Sequence, residues 1–260
     1  MELKLSVPQW HYSMLLDDER VSVFKEAIET SVKKGDTVFD LGTGSGILAM
    51  VAAKDAKKVY AVELDPITTE YTKRNITTNN FENIIVIESD ATYYPFKEKA
   101  DLVIAELLDT GLITEPQVPV LNSIIKRGLL KEGGIIIPKE VYNTAQIVAA
   151  KMNHIYYDEE VTSEKASNEV LYDTINFYKV NDEKVEYILK FEIPNDVKKP
   201  AIRLNTYTLL KDGLISGSSP MLNPPLVIPI KNNLNAGTVK IKLSYKMGGD
   251  LESIKVQVLK

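Results

Sequence analysis

Between residues 20 and 138, short runs of valine, isoleucine and leucine alternate with segments whose apolar residues recur at helical spacing. The runs are DTVFDLG, KVYAVEL, NIIVIESD, ADLVIAE and GGIIIP. The helical segments are VSVFKEAIETSV, ILAMVAAKDA, TTEYTKRNITTN and VPVLNSIIKRGLL. Continuous apolar strands of this kind are buried on both faces, and their alternation with helices predicts a doubly wound α/β sheet of parallel strands. After Pro138 the pattern changes to long polar–apolar alternations, KVEYILKFEI, AIRLNTYTLL, GTVKIKLSYKM and SIKVQVL, separated by Gly, Pro and Asn turns. A period of two with such breaks predicts a smaller antiparallel, barrel-like β domain. The expected division is 1–138 and 139–260, with NHIYYDEEVTSEKASNEVLYDTI at 153–175 open as helix, arm or loop.

Composition narrows the chemistry. The chain has 260 residues, 44% hydrophobic and 26% charged, which is ample for one large or two modest cores. There is no cysteine, so disulfides, thiolate metal sites and cysteine nucleophiles are excluded, and a reducing cytoplasm is the expected compartment. With two histidines and no carboxylates at ligand spacing, no metal site is expected. No apolar run approaches the roughly 18 residues that span a bilayer, and MELKLSVPQWHYS lacks the apolar core of a leader, so no membrane partner is expected. A formal net charge of −5 weighs against a global basic field for nucleic acid, although KKP at 198–200 is locally basic.

The first apolar run ends in VFDLGTGSGIL, where glycines at 42, 44 and 46 let the backbone turn sharply before a helix whose first N–H groups are free for a ligand. The spacing is not the dinucleotide one, whose third glycine comes three positions after the second. Two acids raise the signal above a tight turn. Asp40 ends the strand before the glycines, where an uncompensated carboxylate is costly. Glu63 ends the next strand, suited to accept from both ribose hydroxyls of a nucleoside, unless it merely caps the helix starting near Asp65-Pro66.

On these residues the chain resembles the class I S-adenosylmethionine-dependent methyltransferases, with a Rossmann-like sheet, and within them VFDLGTGSGILAMVAAKDAKKVYAVEL resembles the protein arginine methyltransferases and their archaeal and bacterial predicted RNA methylase relatives. HYSMLLDDER at 11–20 matches that family's N-terminal helix. The resemblance implies S-adenosylmethionine as cofactor, held by Asp40, Gly42, Thr43, Gly44, Gly46, Glu63 and Leu64. It implies further that Arg20 pairs with the methionine carboxylate, which a guanidinium fork suits, that His11 and Met14 lie over the cofactor near its methyl group, and that Asp90 and the Ala91 N–H meet the adenine. Without the resemblance, His11 and Arg20 read as surface residues, and Asp90 as the start of a turn.

Glu106 ends the fourth strand, where open α/β sheets bind ligands, and Glu115 follows nine positions later. The arginine methyltransferases carry two glutamates at this separation around the loop that clamps the guanidinium, so the resemblance implies that Glu106 and Glu115 are catalytic and that Glu106 also borders the cofactor. Glu115 alternatively favours the dipole of a helix beginning after Pro116. The chain departs from the family in two places. Its loop reads LLDTGLIT, with Asp109 as an extra acid. The region matching the family's Thr-His-Trp loop, ISGSSPMLNPPLVIPI, has neither histidine nor tryptophan; apart from His11 the chain's only histidine is His154, and its only tryptophan is Trp10. The leading expectation is N-methylation of an exocyclic amine of an RNA base, such as cytidine N4 of ribosomal RNA. The alternative is arginine in a protein, with a homodimer possible and a noncatalytic cofactor-binding scaffold third.

Overall fold

The computed structural model describes residues 3–157 and 161–259. After a 3-10 turn at Gln9–His11 come α1 (Tyr12–Leu16) and α2 (Asp18–Glu29), the latter capped by Asp17, whose carboxylate accepts the Arg20 N–H. The chain then runs β1 (Thr37–Leu41), α3 (Ile47–Ala53), β2 (Lys58–Glu63), α4 (Pro66–Thr78), β3 (Ile84–Glu88), β4 (Ala100–Ala105), α5 (Gln117–Lys126) and β5 (Leu130–Ile137). These five strands form one sheet in the order β3-β2-β1-β4-β5, every pairing parallel. It is the doubly wound α/β sheet expected from the apolar runs. β1 is buried at all five positions, and in β4 only Asp101 is partly exposed, because helices cover both faces. Phe39 stacks on Phe96 at 3.9 Å between centroids, and Tyr60 meets both edge-on. Each fully buried ring of this kind contributes about 1.5–3 kcal/mol over exposure.

The strand order reverses direction between β1 and β4, and in open α/β sheets that switch opens a crevice beyond the strands' carboxyl ends. The N-terminal segment is led there by α4. Asn75 exchanges hydrogen bonds with both backbone groups of Ser6, and Asn79 does so with Lys4, at 2.8–2.9 Å.

Past Ile137 every strand joins an antiparallel sheet. The first of these holds β6 (Glu140–Ala150), β7 (Ser163–Lys165), β8 (Val170–Asn176), β10 (Pro200–Lys211), β11 (Leu214–Ser216) and β12 (Leu226–Pro229). The second holds β9 (Lys184–Ile193), β13 (Gly237–Lys246) and β14 (Lys255–Leu259). Alternation shows in β10 and β13, where buried positions interchange with partly or fully exposed ones along most of their length. The segment at 153–175, open in the sequence as helix, arm or loop, instead supplies β7 and most of β8, both paired with β6. Its short apolar spacing was masked by charged neighbours, and a partner strand gives it its structure. Residues 158–160 of that segment lie outside the described residues.

Candidate active site

A cavity of about 700 Å³ opens beyond the carboxyl ends of β1, β2, β3 and β4. Among the described residues, none after Val120 lines it. Of the residues singled out in the sequence, His11, Met14, Arg20, Gly42, Thr43, Gly44, Glu63, Leu64, Asp90, Ala91, Glu106 and Glu115 all line this one cavity. Asp40 and Gly46 do not.

The glycine turn explains that difference. Gly42, Gly44 and Gly46 all have positive φ, at 74°, 53° and 81°. Gly46 caps α3, and a Cβ there would meet Thr72 Cγ2 at 3.1 Å, so its open side faces α4 rather than the cavity. Gly44 faces the cavity side, where a Cβ would touch the His11 ring at 3.6 Å. Asp40 lies beneath the turn. Its carboxyl accepts from Thr43 Oγ1 at 2.5 Å and from the Ala49 N–H, and burial pushes it up to about 7. Its role is to tie the turn to α3. The turn is held from outside as well, since Thr72 Oγ1 donates to Gly44 O, and Asn75 Nδ2 donates to Ser45 O at 2.9 Å. Thr72 and Asn75 were missed in the sequence. Thr68, Thr72 and Asn75 in α4, with Asn79 at its C-cap, form a buried polar stripe at helical period, and that stripe was the available signal.

Glu63 is engaged by backbone. One oxygen accepts from Gly44 N and the other from Leu64 N and Asp65 N, each at 2.9 Å. A carboxylate offers about four acceptor positions, and with three taken about one remains for a further donor. Capping of α4 falls to Asp65, which accepts from Thr68 N at 2.7 Å. Asp90 does make the turn considered as its alternative, accepting from Thr92 N at 2.8 Å, yet it also borders the cavity. Leu64 is exposed at the rim.

Arg20 and Glu106 meet. Their side chains, each only 8% exposed, form an ion pair, and the second guanidinium nitrogen donates to Met14 O at 3.0 Å. Arg20 Nε, also buried, has no partner. Burial pushes the Glu106 carboxyl up to about 7, with Glu115 and Asp40 adding repulsion while Arg20 pulls it down. His11 is shifted below its ordinary value, chiefly by burial, so its ring is neutral at neutral pH. Glu115 precedes α5 by two residues, and the Pro116 between them holds the cap position.

The antiparallel strands and their loops contact the segment between Glu106 and Glu115. Thr110 Oγ1 donates to Pro224 O at 2.7 Å, and the Gly111 N–H donates to Thr206 Oγ1 at 2.8 Å. The 215–230 segment does not line the cavity. It packs against the start of α2 instead, where Asp17 accepts from Ser219 Oγ at 2.5 Å and Met221 N at 2.8 Å. No cluster of potential metal ligands occurs among the described residues, and no helix there is long and apolar enough to cross a membrane.

The chain is similar to several known proteins. The family model described as ribosomal protein L11 methyltransferase (PrmA) matches residues 22–170. Uncharacterized protein MJ1452 of Methanocaldococcus jannaschii is 58% identical over 99% of this chain and 100% of its own. The arginine N(omega)-methyltransferase of Streptomyces achromogenes is 31% identical over 58% of this chain and 44% of its own. In fold, the Trypanosoma brucei PRMT1 enzyme–prozyme heterotetrameric complex with AdoHcy superposes with a TM-score of 0.77 at 18% identity, covering 96% of both chains.

Proposed function

The chain belongs to the ribosomal protein L11 methyltransferase (PrmA) family and is a class I S-adenosylmethionine-dependent methyltransferase, and from that premise we propose that it methylates a guanidinium nitrogen of arginine in a protein. The observation that carries this reading is the charge of the cavity. Its wall holds Glu63, Asp65, Asp90, Glu106 and Glu115 against one cation, Arg20, which is itself paired. A planar cation is favoured there, and a phosphate backbone is repelled. An RNA base amine, put first by the sequence, is disfavoured on that ground. The similarity to the Streptomyces arginine N(omega)-methyltransferase supports the same direction.

The residues fit the cofactor. About 700 Å³ suits a ligand of its size, the bare Cα of Gly44 lets backbone approach closely, and the buried Arg20 with an unpartnered Nε suits a carboxylate. Bound S-adenosylmethionine supplies an electrophilic methyl group on a sulfonium sulfur. In this reading Arg20 receives the amino-acid end, Glu63 the ribose and Asp90 with Ala91 the base. Gly42, Thr43 and Leu64 close the wall around the nucleoside, while Asp40 and Gly46 hold the turn from outside. His11 and Met14 cover the region between the nucleoside and the glutamates.

Glu106 and Glu115 accept N–H bonds from opposite edges of the guanidinium and fix its plane, so that one nitrogen faces the side walled by His11, Met14 and Gly44. That nitrogen sheds a proton as it gains carbon, and Glu106, poised near 7, can receive it. Residues 1–138 then form the cofactor domain, and 139–260 the domain that braces the acceptor loop.

Incubating the enzyme and tritiated S-adenosylmethionine with a hypomethylated cell extract tests the proposal. Label is expected in protease-sensitive material and, after acid hydrolysis, in methylated arginine. Label in RNase-sensitive material, or in methylated lysine, overturns it.

A further inference from the structure

The segment between the two glutamates contains a buried acid that does not line the active-site cavity. Asp109 is 4% exposed, and burial pushes its carboxyl up to about 7. One oxygen accepts from Thr114 N at 2.8 Å and Thr114 Oγ1 at 2.9 Å, and the Glu115 amide faces the same carboxyl. Its other oxygen is buried without a partner. Removing a carboxylate from water at such a point costs stability, and a neutral side chain would avoid that cost. What the acid holds is Thr114, by its backbone and its hydroxyl, and the Glu115 amide.

The base of the same loop has its own tie. Gln117, fully buried at the start of α5, accepts the Leu107 N–H at 3.0 Å, one residue from Glu106. Between these ties the loop is nailed to the second domain, with Gly248 N donating to Leu112 O at 3.0 Å and Gly249 N to Ile113 O at 2.8 Å. The Glu106 end is therefore set by β4 and Gln117, and the middle by the β domain. At the Thr114–Glu115 end, Tyr157 Oη lies 2.8 Å from Thr114 Oγ1, and Asp109 holds the backbone from inside the loop.

We infer that Asp109 is a positioning residue, holding the backbone of Thr114 and Glu115 so that the Glu115 carboxylate is fixed opposite Glu106. The inference rests on the reading of Glu106 and Glu115 as the acceptor clamp. Asp109 touches neither cofactor nor acceptor and acts through Glu115. Its hydrogen-bond acceptance is what matters, so asparagine should replace it where alanine cannot.

Asp109→Ala and Asp109→Asn are compared by amide hydrogen exchange in the full chain with bound S-adenosylhomocysteine. A bond to a charged acceptor protects an amide substantially, so exchange at Thr114 and Glu115 should quicken at least about tenfold in Asp109→Ala. Asp109→Asn should stay near wild type. With a glycine-flanked arginine peptide as acceptor, Asp109→Ala should raise KM about tenfold or more while S-adenosylhomocysteine affinity holds within about threefold. Wild-type exchange in Asp109→Ala, or an asparagine variant as impaired as the alanine one, overturns the inference. So does a loss of cofactor affinity equal to the rise in KM. Should Asp109→Ala fail to fold, Thr114→Val removes one of the two bonds and should move the Glu115 amide and KM the same way by less. If the wild-type enzyme does not methylate the peptide, the arginine reading fails, while the exchange at Thr114 and Glu115 still decides the role of Asp109.

Discussion

Glu106→Gln removes one charge from the centre of the site and almost no volume. The carboxylate it replaces has two tasks, pairing with Arg20 and, in the proposed reaction, holding the acceptor nitrogen. Losing a single preorganised electrostatic contact to a reacting group typically costs 10²–10³-fold in kcat, about 3 kcal/mol of barrier, and that fall is expected here. Stability should change far less, because two effects oppose. Orphaning one partner of a buried pair costs about 3–5 kcal/mol. Against this, a glutamate lifted from its ordinary 4.5 to about 7 is ionised at pH 8 against a burial penalty of roughly 3 kcal/mol, which glutamine does not incur. The melting temperature should therefore move by no more than about 5 °C. Cofactor affinity should hold or improve, since Arg20 is released toward the cofactor's carboxylate. Three measurements on one preparation suffice: initial rates at pH 8, calorimetric titration with S-adenosylhomocysteine, and a thermal melt. A fall in kcat of less than about tenfold, or a loss of cofactor affinity matching the loss of rate, would refute the assignment of Glu106 to the acceptor side.

Other consequences are equally measurable. Gly44→Val demands φ near +53° of a branched residue and sends its methyl groups into the cavity or the His11 ring, so S-adenosylhomocysteine affinity should fall by more than about tenfold, with a stability cost of about 1–2 kcal/mol. Asp17→Ala removes the cap of α2 together with the bonds from Ser219 and Met221, and urea titration should show a loss of about 2–3 kcal/mol. The folded-state values of Asp40, Glu106 and Asp109 all lie above the ordinary carboxyl range, at about 7. At these three carboxyls the fold binds more protons than the unfolded chain between roughly pH 4 and 7; the lowered His11 opposes them below its ordinary 6.5, and with three groups against one stability falls as pH rises through that window. Urea midpoints taken from pH 5 to 8 should decline, and Asp40→Asn should flatten the decline while the activity of wild type, which needs ionised Glu106, rises over the same range. A stability that climbs with pH across this window would contradict all three assignments.

What the sequence determined by itself is what depends on near neighbours. The parallel sheet was legible because strands buried on both faces are continuous apolar runs, and the antiparallel half because strands buried on one face alternate. The glycine turn, Glu63 at the end of β2, and Asp65-Pro66 at the head of α4 follow from backbone rules spanning a few residues. The gathering of His11, Met14 and Arg20 with Glu106 and Glu115 was available only through the family resemblance, since no local rule joins them. Tertiary structure alone decided three things. Arg20 and Glu106, 86 residues apart, became partners. Asp17 and Ser219, 202 apart, drew the 215–230 segment onto α2 and away from the cavity. Asp109, an extra acid in the loop when read as sequence, became the buried acceptor of two Thr114 hydrogen bonds. A hydrogen bond between distant residues leaves no periodicity in the chain, because its geometry exists only once two separately folded surfaces have met.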